Sequence, residues 1–483
     1  MKIIVIYDNS VPKSEIITDV IGRKGFGDVV VKKQRIEDYT YNSVLSIFKT
    51  FEWKKINSVF EYSEIIDYIK SLNESDIRIL HIFSNYFIKN INDVSLSYKK
   101  LLYIDEPYKA LFDRKIASIL FSDIKSYSIF CKNITLGQDI SEASDFIKSS
   151  FDVEGLTDLS LINNFIHCIT GNFDARYFNS LKESEYTITK TSTDKLKIKK
   201  EYTYYQLLPE DMKSWFVMPY NYHESNETAE YTMERLYMTD LAIKYVHGSI
   251  DKDEFNTLLN KYFYFFKSRH SRPTSDENYN NTAKKLYVDK VNERIKSLKN
   301  HPKFDQINNY LKANNLNLDD ILSKYYKLKE EIESKNNYPK IDVIGHGDPG
   351  FANTLYNKAT QTLKFIDPKG ALKEEELWTN PYYDIAKLSH CVCGRYDFFN
   401  NGLFEIKINN SLAYELDIPF NNEMYKAIFK EKIVNNGYDY HTVRIYEASL
   451  FLSMLPLHID NPYKVFGFIL NTIEILKELE NDV

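Results

Sequence analysis

In the first 150 residues or so, apolar runs of strand length alternate with helical stretches. The run from Lys2 to Tyr7 is followed by Asp8, a residue typical of turns, and then by a short helical stretch. A second run, Ile77 to Phe83, has the continuous apolar character of a buried strand. Helical stretches are predicted around Tyr98 to Ser126 and Ser141 to Ser150. The alternation predicts an α/β, Rossmann-like domain over residues 1–150.

The pattern changes near Leu159, where short strand-like segments follow one another. The predicted strands are Phe165 to Thr170, Arg176 to Leu181 and Tyr186 to Thr191. The last of these alternates apolar and polar residues with a period of two, as a half-buried strand does. A charged stretch, Lys195 to Leu207, predicts the helix that follows. We expect a small lobe of strands and one helix over residues 155–236.

Helical patterns dominate the rest of the chain, after two further strands at Trp215 to Tyr220 and Tyr231 to Leu236. The segment from Thr274 to Thr282 is rich in asparagine and acidic residues, which predicts a surface loop. The predicted helices on either side of it are Asp251 to Arg269, Ala283 to Lys299 and Asn315 to Ser334. We therefore expect an α+β fold with a larger, mainly helical lobe over residues 237–483.

Two short apolar segments in this larger lobe each end in polar residues. His346 and Asp348 follow the segment Ile341 to Ile344, with Asn353 five residues beyond the aspartate, and Asp367 follows the segment Leu363 to Ile366. The order H-x-D-x-x-x-x-N, strand, D is typical of phosphoryl transfer. In that layout the first carboxylate, Asp348, orients the acceptor hydroxyl. An amide and a second carboxylate, here Asn353 and Asp367, hold Mg²⁺.

The small lobe contains residue types that would hold the phosphates of a nucleotide. Lys190 ends a predicted strand and Glu201 lies on the next helix, the arrangement in which a kinase small lobe orients a lysine toward the α and β phosphates. Lys195 and Lys197 are competing candidates for the lysine. Gly171 lies in a tight turn that would fold over the phosphates.

Glu234, in the segment Met233 to Arg235, stands where a hinge between two kinase lobes would present its backbone to adenine. These positions imply ATP as the nucleotide. The sequence leaves the acceptor's identity and the oligomeric state open.

Charge and cysteine content narrow the function classes. The formal charge of −6 gives no global basic field, so we expect no nucleic-acid partner. The 4 cysteines in 483 residues do not form a disulfide framework, and the N-terminus lacks the pattern of a secretory signal. The longest apolar run near the end, Ala448 to Leu457, is too short for a membrane span. We expect a cytoplasmic protein without a transmembrane helix.

From about Leu159 onward, roughly two thirds of the chain, the sequence resembles the aminoglycoside phosphotransferase and choline kinase superfamily. His346, Asp348 and Asn353 resemble its catalytic loop, and Asp367 its metal-binding segment. A further segment, NPYYDIA, is similar to the family's D-P-x-x-D-x-A, whose second aspartate corresponds to Asp384. The resemblance implies a two-lobed, protein-kinase-like fold. It also implies structural support of the catalytic loop by Asp384, with His346 packing and hydrogen bonding instead of acting as a base.

The resemblance implies a sugar-like or amino-alcohol acceptor. Asp367 is followed by Pro368, Lys369 and Gly370 in place of D-F-G, and an aspartate followed by proline also occurs in relatives that phosphorylate sugars or sugar-like alcohols, which favours a hydroxylated small molecule. The N-terminal domain is faintly similar to sugar nucleotidyltransferases. There the strand ending at Phe83 would be followed by a metal-binding aspartate, whereas this chain has Asn85. These features predict a small-molecule kinase, with surface polysaccharide assembly as its hypothetical role. Two alternatives stay open: a non-catalytic, pseudokinase-like nucleotide-binding scaffold, and a bifunctional kinase and nucleotidyltransferase.

Overall fold

The computed structural model of the chain describes residues 1–31, 33–72, 76–170, 179–184, 186–409 and 413–482. The chain divides into two compact units, the first comprising residues 1–173 and 247–249 and the second residues 174–246 and 250–483. Each unit has a hydrophobic core of its own. No helix in the described ranges is long and apolar enough to cross a membrane.

The first unit is built on a six-stranded sheet in the order β4-β1-β5-β8-β7-β9. The strands of the first unit, in this sheet and outside it, are β1 (Lys2–Asp8), β2 (Val30–Val31), β3 (Gln34–Arg35), β4 (Glu52–Ile56), β5 (Ile77–Phe83), β6 (Tyr86–Ile88), β7 (Tyr108–Phe112), β8 (Lys115–Phe121), β9 (Ser149–Asp152) and β10 (Leu156–Asp158). Its helices are α1 (Glu15–Ile21), α2 (Ile36–Ile47), α3 (Glu61–Ser71), α4 (Ile91–Lys99), α5 (Ile124–Thr135), α6 (Ile140–Ala143) and α7 (Ile162–Thr170). Strands β4, β1 and β5 are parallel, and β8 is antiparallel to both of its neighbours. The predicted α/β character of this part of the chain is confirmed.

The second unit begins with a four-stranded antiparallel sheet in the order β11-β12-β14-β13, followed by a mainly helical part. The strands of the second unit are β11 (Asn179–Glu183), β12 (Thr187–Ser192), β13 (Pro219–Glu224), β14 (Ala229–Glu234), β15 (Thr239–Asp240), β16 (Ser271–Pro273), β17 (Ile341–Ile344), β18 (Thr354–Asn357), β19 (Thr362–Phe365), β20 (Trp378–Thr379), β21 (Glu405–Ile408) and β22 (Tyr414–Asp417). The α+β class is confirmed, since one helix packs on this sheet and the helices of the other part surround two small three-stranded sheets.

The helices of the second unit are α8 (Lys195–Leu207), α9 (Glu210–Lys213), α10 (Leu241–Val246), α11 (Lys252–Ser268), α12 (Asp276–Lys284), α13 (Lys290–Lys299), α14 (Phe304–Ala313), α15 (Leu318–Lys335), α16 (Tyr383–Val392), α17 (Tyr396–Asn400), α18 (Glu423–Asn435), α19 (Tyr440–Met454) and α20 (Pro462–Asp482). Helix α8 packs on the four-stranded sheet. Its predicted bounds, and those of β17 and β5, agree with the structure.

The segment Phe165 to Thr170, predicted as a strand, is part of helix α7 instead. Phe165, Cys168 and Ile169 are buried at spacings of three and four residues, the period of one helix face. The β-branched residues of this run favoured a strand, but burial of a helical face outweighed that preference.

The predicted loop from Thr274 to Thr282 is also wrong, because most of it forms helix α12. The Ser275 side chain caps this helix by accepting a hydrogen bond from the backbone N–H of Asn278, and Asp276 and Glu277 fill its first turn. A serine followed by acidic residues is the signature of a helix start, and it was missed because the segment lacks an apolar stripe.

The stretch from Tyr98 to Ser126, predicted as helical, contains the hairpin of β7 and β8. Asp113 and Arg114 form its tip with φ values of 47° and 64°. Two consecutive residues at positive φ make the tight turn that matches strand twist, usually marked by Asn-Gly or Asp-Gly. The predicted helix from Ser141 to Ser150 is likewise shorter, because β9 begins at Ser149.

Candidate active site

The loop after β17 is held by the carboxylate of Asp384, at the start of α16. Asp384 Oδ2 accepts a hydrogen bond from the backbone N–H of His346 at 2.9 Å, and Oδ1 accepts one from Gly347 at 2.8 Å. Arg269 donates to the same Oδ2 at 2.9 Å, and neither of these two charged side chains is exposed. The ion pair neutralises a buried charge, while the two backbone bonds fix the direction in which the loop leaves the strand.

Two glycines allow this loop to pass so close to its neighbours. A Cβ atom on Gly345 would lie 2.4 Å from Thr379 Cγ2. Gly347 has a φ of +84°, and a Cβ atom there would lie 2.5 Å from Lys369 Cβ. The left-handed backbone at Gly347 turns the chain so that Asp348 follows at the surface.

His346 lies beneath the loop as a neutral, fully engaged side chain. Its Nε2–H donates to the carbonyl of Ile366 at 3.0 Å, and its Nδ1 accepts from the backbone N–H of Asp348 at 3.0 Å. The ring stacks on Phe216 at 5.7 Å. Burial lowers the pKa of this imidazole, which outweighs the opposing effect of the nearby carboxylates, Asp384 first. With both nitrogens occupied, His346 connects the two segments that carry Asp348 and Asp367.

Asp348 has the most open side chain of the loop, with 46% of its surface exposed. One of its oxygens, Oδ1, lies 3.1 Å from Nζ of Lys387. Burial lowers the pKa of Lys387, but the Asp348 carboxylate outweighs burial and the pKa is raised. Sequence analysis missed Lys387. The available signal was its position three residues after Asp384, which places both side chains on one face of α16.

Asn353 and Asp367 are brought together by a hydrogen bond from the backbone N–H of Ile366 to the carbonyl of Asn353, at 3.0 Å. The Asn353 amide donates from Nδ2 to the carbonyl of Asp348 at 3.0 Å, so its oxygen points away from that bond and remains available. Asp367 adopts a φ of 54°, which is uncommon for a residue other than glycine. Its side chain is about one third exposed, at 36%.

This donor set fits Mg²⁺. An amide oxygen and a carboxylate are the hard oxygen ligands that Mg²⁺ takes, usually one or two from protein with water and phosphate oxygens completing the shell. In the part of the chain that the structure describes, no three His, Cys, Asp or Glu side chains group as a metal site.

Lys190 joins the four-stranded sheet to this donor set. Its Nζ lies 2.7 Å from Glu201 Oε2 and 2.8 Å from Asp367 Oδ1. Glu201 also accepts a hydrogen bond from the hydroxyl of Tyr231 at 3.0 Å, so the carboxylate is fixed on α8. Burial opposes the charge of Lys190, but Asp367 and then Glu201 outweigh it and raise the pKa of the ammonium. Burial and Asp367 together raise the pKa of Glu201.

Neither competing lysine forms an ion pair with Asp367 among the described residues. Lys195 pairs with Glu224 at 3.4 Å, and the more exposed Lys197 approaches the other oxygen of Glu201 at 3.6 Å. Glu234 is the last residue of β14, opposite Thr187, and residues 235–238 link it to β15. Gly171 lies outside the described residues. The predicted roles of Gly171 and Glu234 stay predictions.

Comparison with solved structures returns proteins of the superfamily that the sequence resembles. The spectinomycin phosphotransferase APH(9)-Ia, determined with ADP and spectinomycin, aligns with 63% of this chain and 91% of its own at 12% identity and a TM-score of 0.37. A choline/ethanolamine kinase family protein from Mesorhizobium loti aligns with 62% and 85% of the two chains at 12% identity and a TM-score of 0.32.

A variant of the aminoglycoside phosphotransferase APH(4)-Ia, determined with AMP-PNP and hygromycin B, aligns with 65% of this chain and 97% of its own at 10% identity and a TM-score of 0.36. No protein-family model and no curated protein sequence matches the chain. With every one of these TM-scores below 0.5, the functional argument rests on the geometry of the site.

Proposed function

We propose that the chain is an ATP- and Mg²⁺-dependent kinase of a small molecule, of the aminoglycoside phosphotransferase and choline kinase type. One observation carries the proposal: Lys190 contacts Glu201 and Asp367 at once, at 2.7 and 2.8 Å. Phosphoryl transfer needs a lysine, its orienting glutamate and a metal-binding aspartate in one place. Here Lys190 contacts both carboxylates, although Asp367 is far from it in sequence.

On the nucleotide side, Lys190 would bind phosphate oxygens and neutralise their charge. Glu201 would orient the ammonium group of Lys190 toward them. Asn353 and Asp367 would hold Mg²⁺ through the amide oxygen and the carboxylate. When bound, the ion supplies positive charge against the β and γ phosphates, where negative charge develops during transfer. The Lys190–Asp367 contact of 2.8 Å would then be shared with the ion and the phosphates.

On the acceptor side, Asp348 would accept a hydrogen bond from the acceptor hydroxyl and take its proton as the new oxygen–phosphorus bond forms. The bond between the γ phosphorus and the oxygen of ADP breaks in the same step, and ADP leaves with that electron pair. An ordinary carboxylate suffices for this task, because the transition state is loose and positioning contributes most of the rate. The hydrogen bonds that Asp384 accepts from the backbone of His346 and Gly347 would keep Asp348 in place.

The decisive test is release of ADP from ATP and Mg²⁺ with a panel of sugars, sugar derivatives, amino alcohols and aminoglycosides. The Asp348→Asn variant keeps the size of the side chain and removes the base, so we expect turnover to fall by about 100-fold or more. Its unfolding midpoint and its affinity for ATP should stay near those of the unaltered protein. Full turnover in this variant would overturn the assignment.

Asp367→Asn tests the metal separately. We expect this variant to lose the Mg²⁺ dependence of ATP binding, measured by calorimetry with and without EDTA. Unchanged Mg²⁺-dependent binding would remove Asp367 as a ligand.

A finer proposal, from the N-terminal likeness to sugar nucleotidyltransferases, is that the product serves surface polysaccharide assembly. Formation of a nucleotide sugar by the full-length protein would support that role.

A further inference from the structure

Three lysines from separate elements converge on one tyrosine beside the catalytic loop. Lys290, at the start of α13, donates from Nζ to the hydroxyl of Tyr383 at 3.1 Å. Lys369, in the segment after β19, places Nζ 5.9 Å from the centre of the same ring. Lys387, one turn further along α16, contacts Asp348 at 3.1 Å. We refer to Lys290, Lys369 and Lys387 as the lysine cluster.

The positive charge of the cluster exceeds the negative charge that faces it. Lys387 pairs with Asp348, whereas Lys290 and Lys369 have no ion pair with any of the residues that the structure describes. Tyr383 reports the excess. Burial by itself would raise the pKa of the Tyr383 phenol. The combined effect of Lys387, Lys290 and Lys369 is larger and opposite, so the net shift in this pKa is downward. A buried phenol acquires an easier ionisation only where the local potential is strongly positive.

The cluster is open to a ligand. Lys369 is exposed, Lys290 is half-buried, and the side chain of Lys387 keeps 15% of its surface.

The cluster is distinct from the lysine assigned to the nucleotide. Lys190 contacts Asp367, the proposed metal ligand, whereas Lys387 contacts Asp348, the residue assigned to the acceptor hydroxyl. Lys369 packs along the backbone of Gly347, immediately before Asp348. A ligand at the cluster would therefore lie beside the acceptor hydroxyl.

We propose that the lysine cluster binds an oxyanion carried by the acceptor, so that the substrate is an alcohol with a phosphate or carboxylate group. The inference rests on the proposed function for the identity of Asp348 and narrows its acceptor from sugar-like or amino alcohols to anionic ones. Ammonium groups are suited to both anions, and the amine of a cationic acceptor would meet three like charges instead. The second negative group anchors the molecule while its hydroxyl faces Asp348.

The test compares acceptors that differ in one group: glycerol, glycerol 3-phosphate, glycerate and 3-amino-1,2-propanediol, then glucose, glucose 6-phosphate, glucuronate and glucosamine. In each set, turnover should be higher with the phosphate or the carboxylate compound than with the neutral and amino compounds. Comparing the phosphate compound with the carboxylate compound identifies which of the two groups is bound. Preference for the neutral or amino member of each set would overturn the proposal.

Lys290→Gln and Lys369→Gln test the cluster without altering Asp348 or its partner Lys387. Each should raise the KM for the anionic acceptor by about tenfold, the loss expected for one charged hydrogen bond, with the KM for ATP unchanged within twofold. Lys296→Gln, an exposed lysine on the same helix as Lys290, is the matched control and should change neither value. A rise in the KM for ATP alone would assign the cluster to the nucleotide and overturn the proposal.

Binding without nucleotide separates this inference from the kinase assignment. Calorimetric titration of the full chain with glycerol 3-phosphate, glucose 6-phosphate, glycerate and glucuronate requires no turnover. Saturable binding of an anionic probe that is weakened in Lys290→Gln and unaffected in Lys296→Gln would support the cluster as an anion site even if no acceptor is phosphorylated. Absence of binding to all four probes would overturn it even if a neutral acceptor is phosphorylated.

Discussion

Lys190 is the residue on which the two halves of the candidate site depend. Its side chain is 4% exposed, and it contacts two carboxylates from different elements. Removing one member of a buried ionic group leaves the other charges uncompensated, which costs more than the pair contributes when intact. We therefore expect Lys190 to contribute both to the proposed binding of ATP and to the stability of the second unit.

Lys190→Met should lower the free energy of unfolding by about 3 kcal/mol, because the buried carboxylate of Glu201 loses its ammonium partner. Adding Glu201→Gln should recover part of that loss, since the remaining buried group is then neutral. The KM for ATP should rise in Lys190→Met, and adding Glu201→Gln should not bring it back down. Urea unfolding and ATP titration of the two single variants and the double variant measure the coupling. Equal stability of Lys190→Met and the double variant would contradict the expected coupling.

At the scale of elements, helix α16 positions the loop that we propose to be catalytic. Its first turn supplies Asp384, which binds two backbone N–H groups of the loop, and its next turn supplies Lys387, which contacts Asp348. The helix and the loop are separate in sequence, and Arg269 of the segment after α11 completes the clamp. Helix α16 and the segment after α11 thus hold the loop together, although both are separate from it in sequence.

Asp384→Asn should be costly, since it leaves the guanidinium of Arg269 buried without an anion. We expect a loss of about 3 to 5 kcal/mol in the free energy of unfolding and a lower kcat, because the loop loses its anchor. Asp460→Asn, at an exposed position in the same unit, is the control and should change neither quantity. A variant at Asp384 with unaltered stability would show that the backbone bonds of the loop are dispensable.

At the scale of the whole molecule, buried acids make stability depend on pH. Burial raises the pKa of Asp240, Asp397 and Glu447 to about 7, and all three lie in the second unit. In the unfolded chain they ionise near pH 4. Between these values the folded protein binds more protons than the unfolded chain, so stability falls as the pH rises.

From these three acids, the second unit should be more stable at pH 5 than at pH 8. The buried imidazoles of His346 and His390, whose pKa values are lowered by burial, oppose this trend below about pH 6.5 and contribute nothing to it above that pH. Each of the three acids contributes a slope of up to about 1.4 kcal/mol per pH unit between pH 4 and 7. Asp240→Asn or Asp397→Asn should flatten the curve, measured by urea unfolding at pH 5, 6, 7 and 8. Asp460→Asn, exposed and outside any ion pair of the described residues, should leave the slope unchanged.

Sequence patterns alone predicted the class of the fold and the bounds of several strands and helices correctly. Strand β17 and helix α8 were predicted with the bounds that the structure has, because a short apolar run and a charged helical stretch are local signals. Helices α7 and α12 were missed, since the first depends on burial of one face and the second on a serine cap.

The sequence by itself determined which residue types were available for phosphoryl transfer, because their order and spacing along the catalytic loop are local. Only the tertiary structure decided which of three candidate lysines meets Glu201 and Asp367. It also revealed Lys387 beside Asp348 and the lysine cluster around Tyr383. The physical reason is that an ion pair or hydrogen bond depends on distance in space. Lys190 approaches Asp367, Lys290 approaches Tyr383 and Lys387 approaches Asp348 only when the sheets and helices pack.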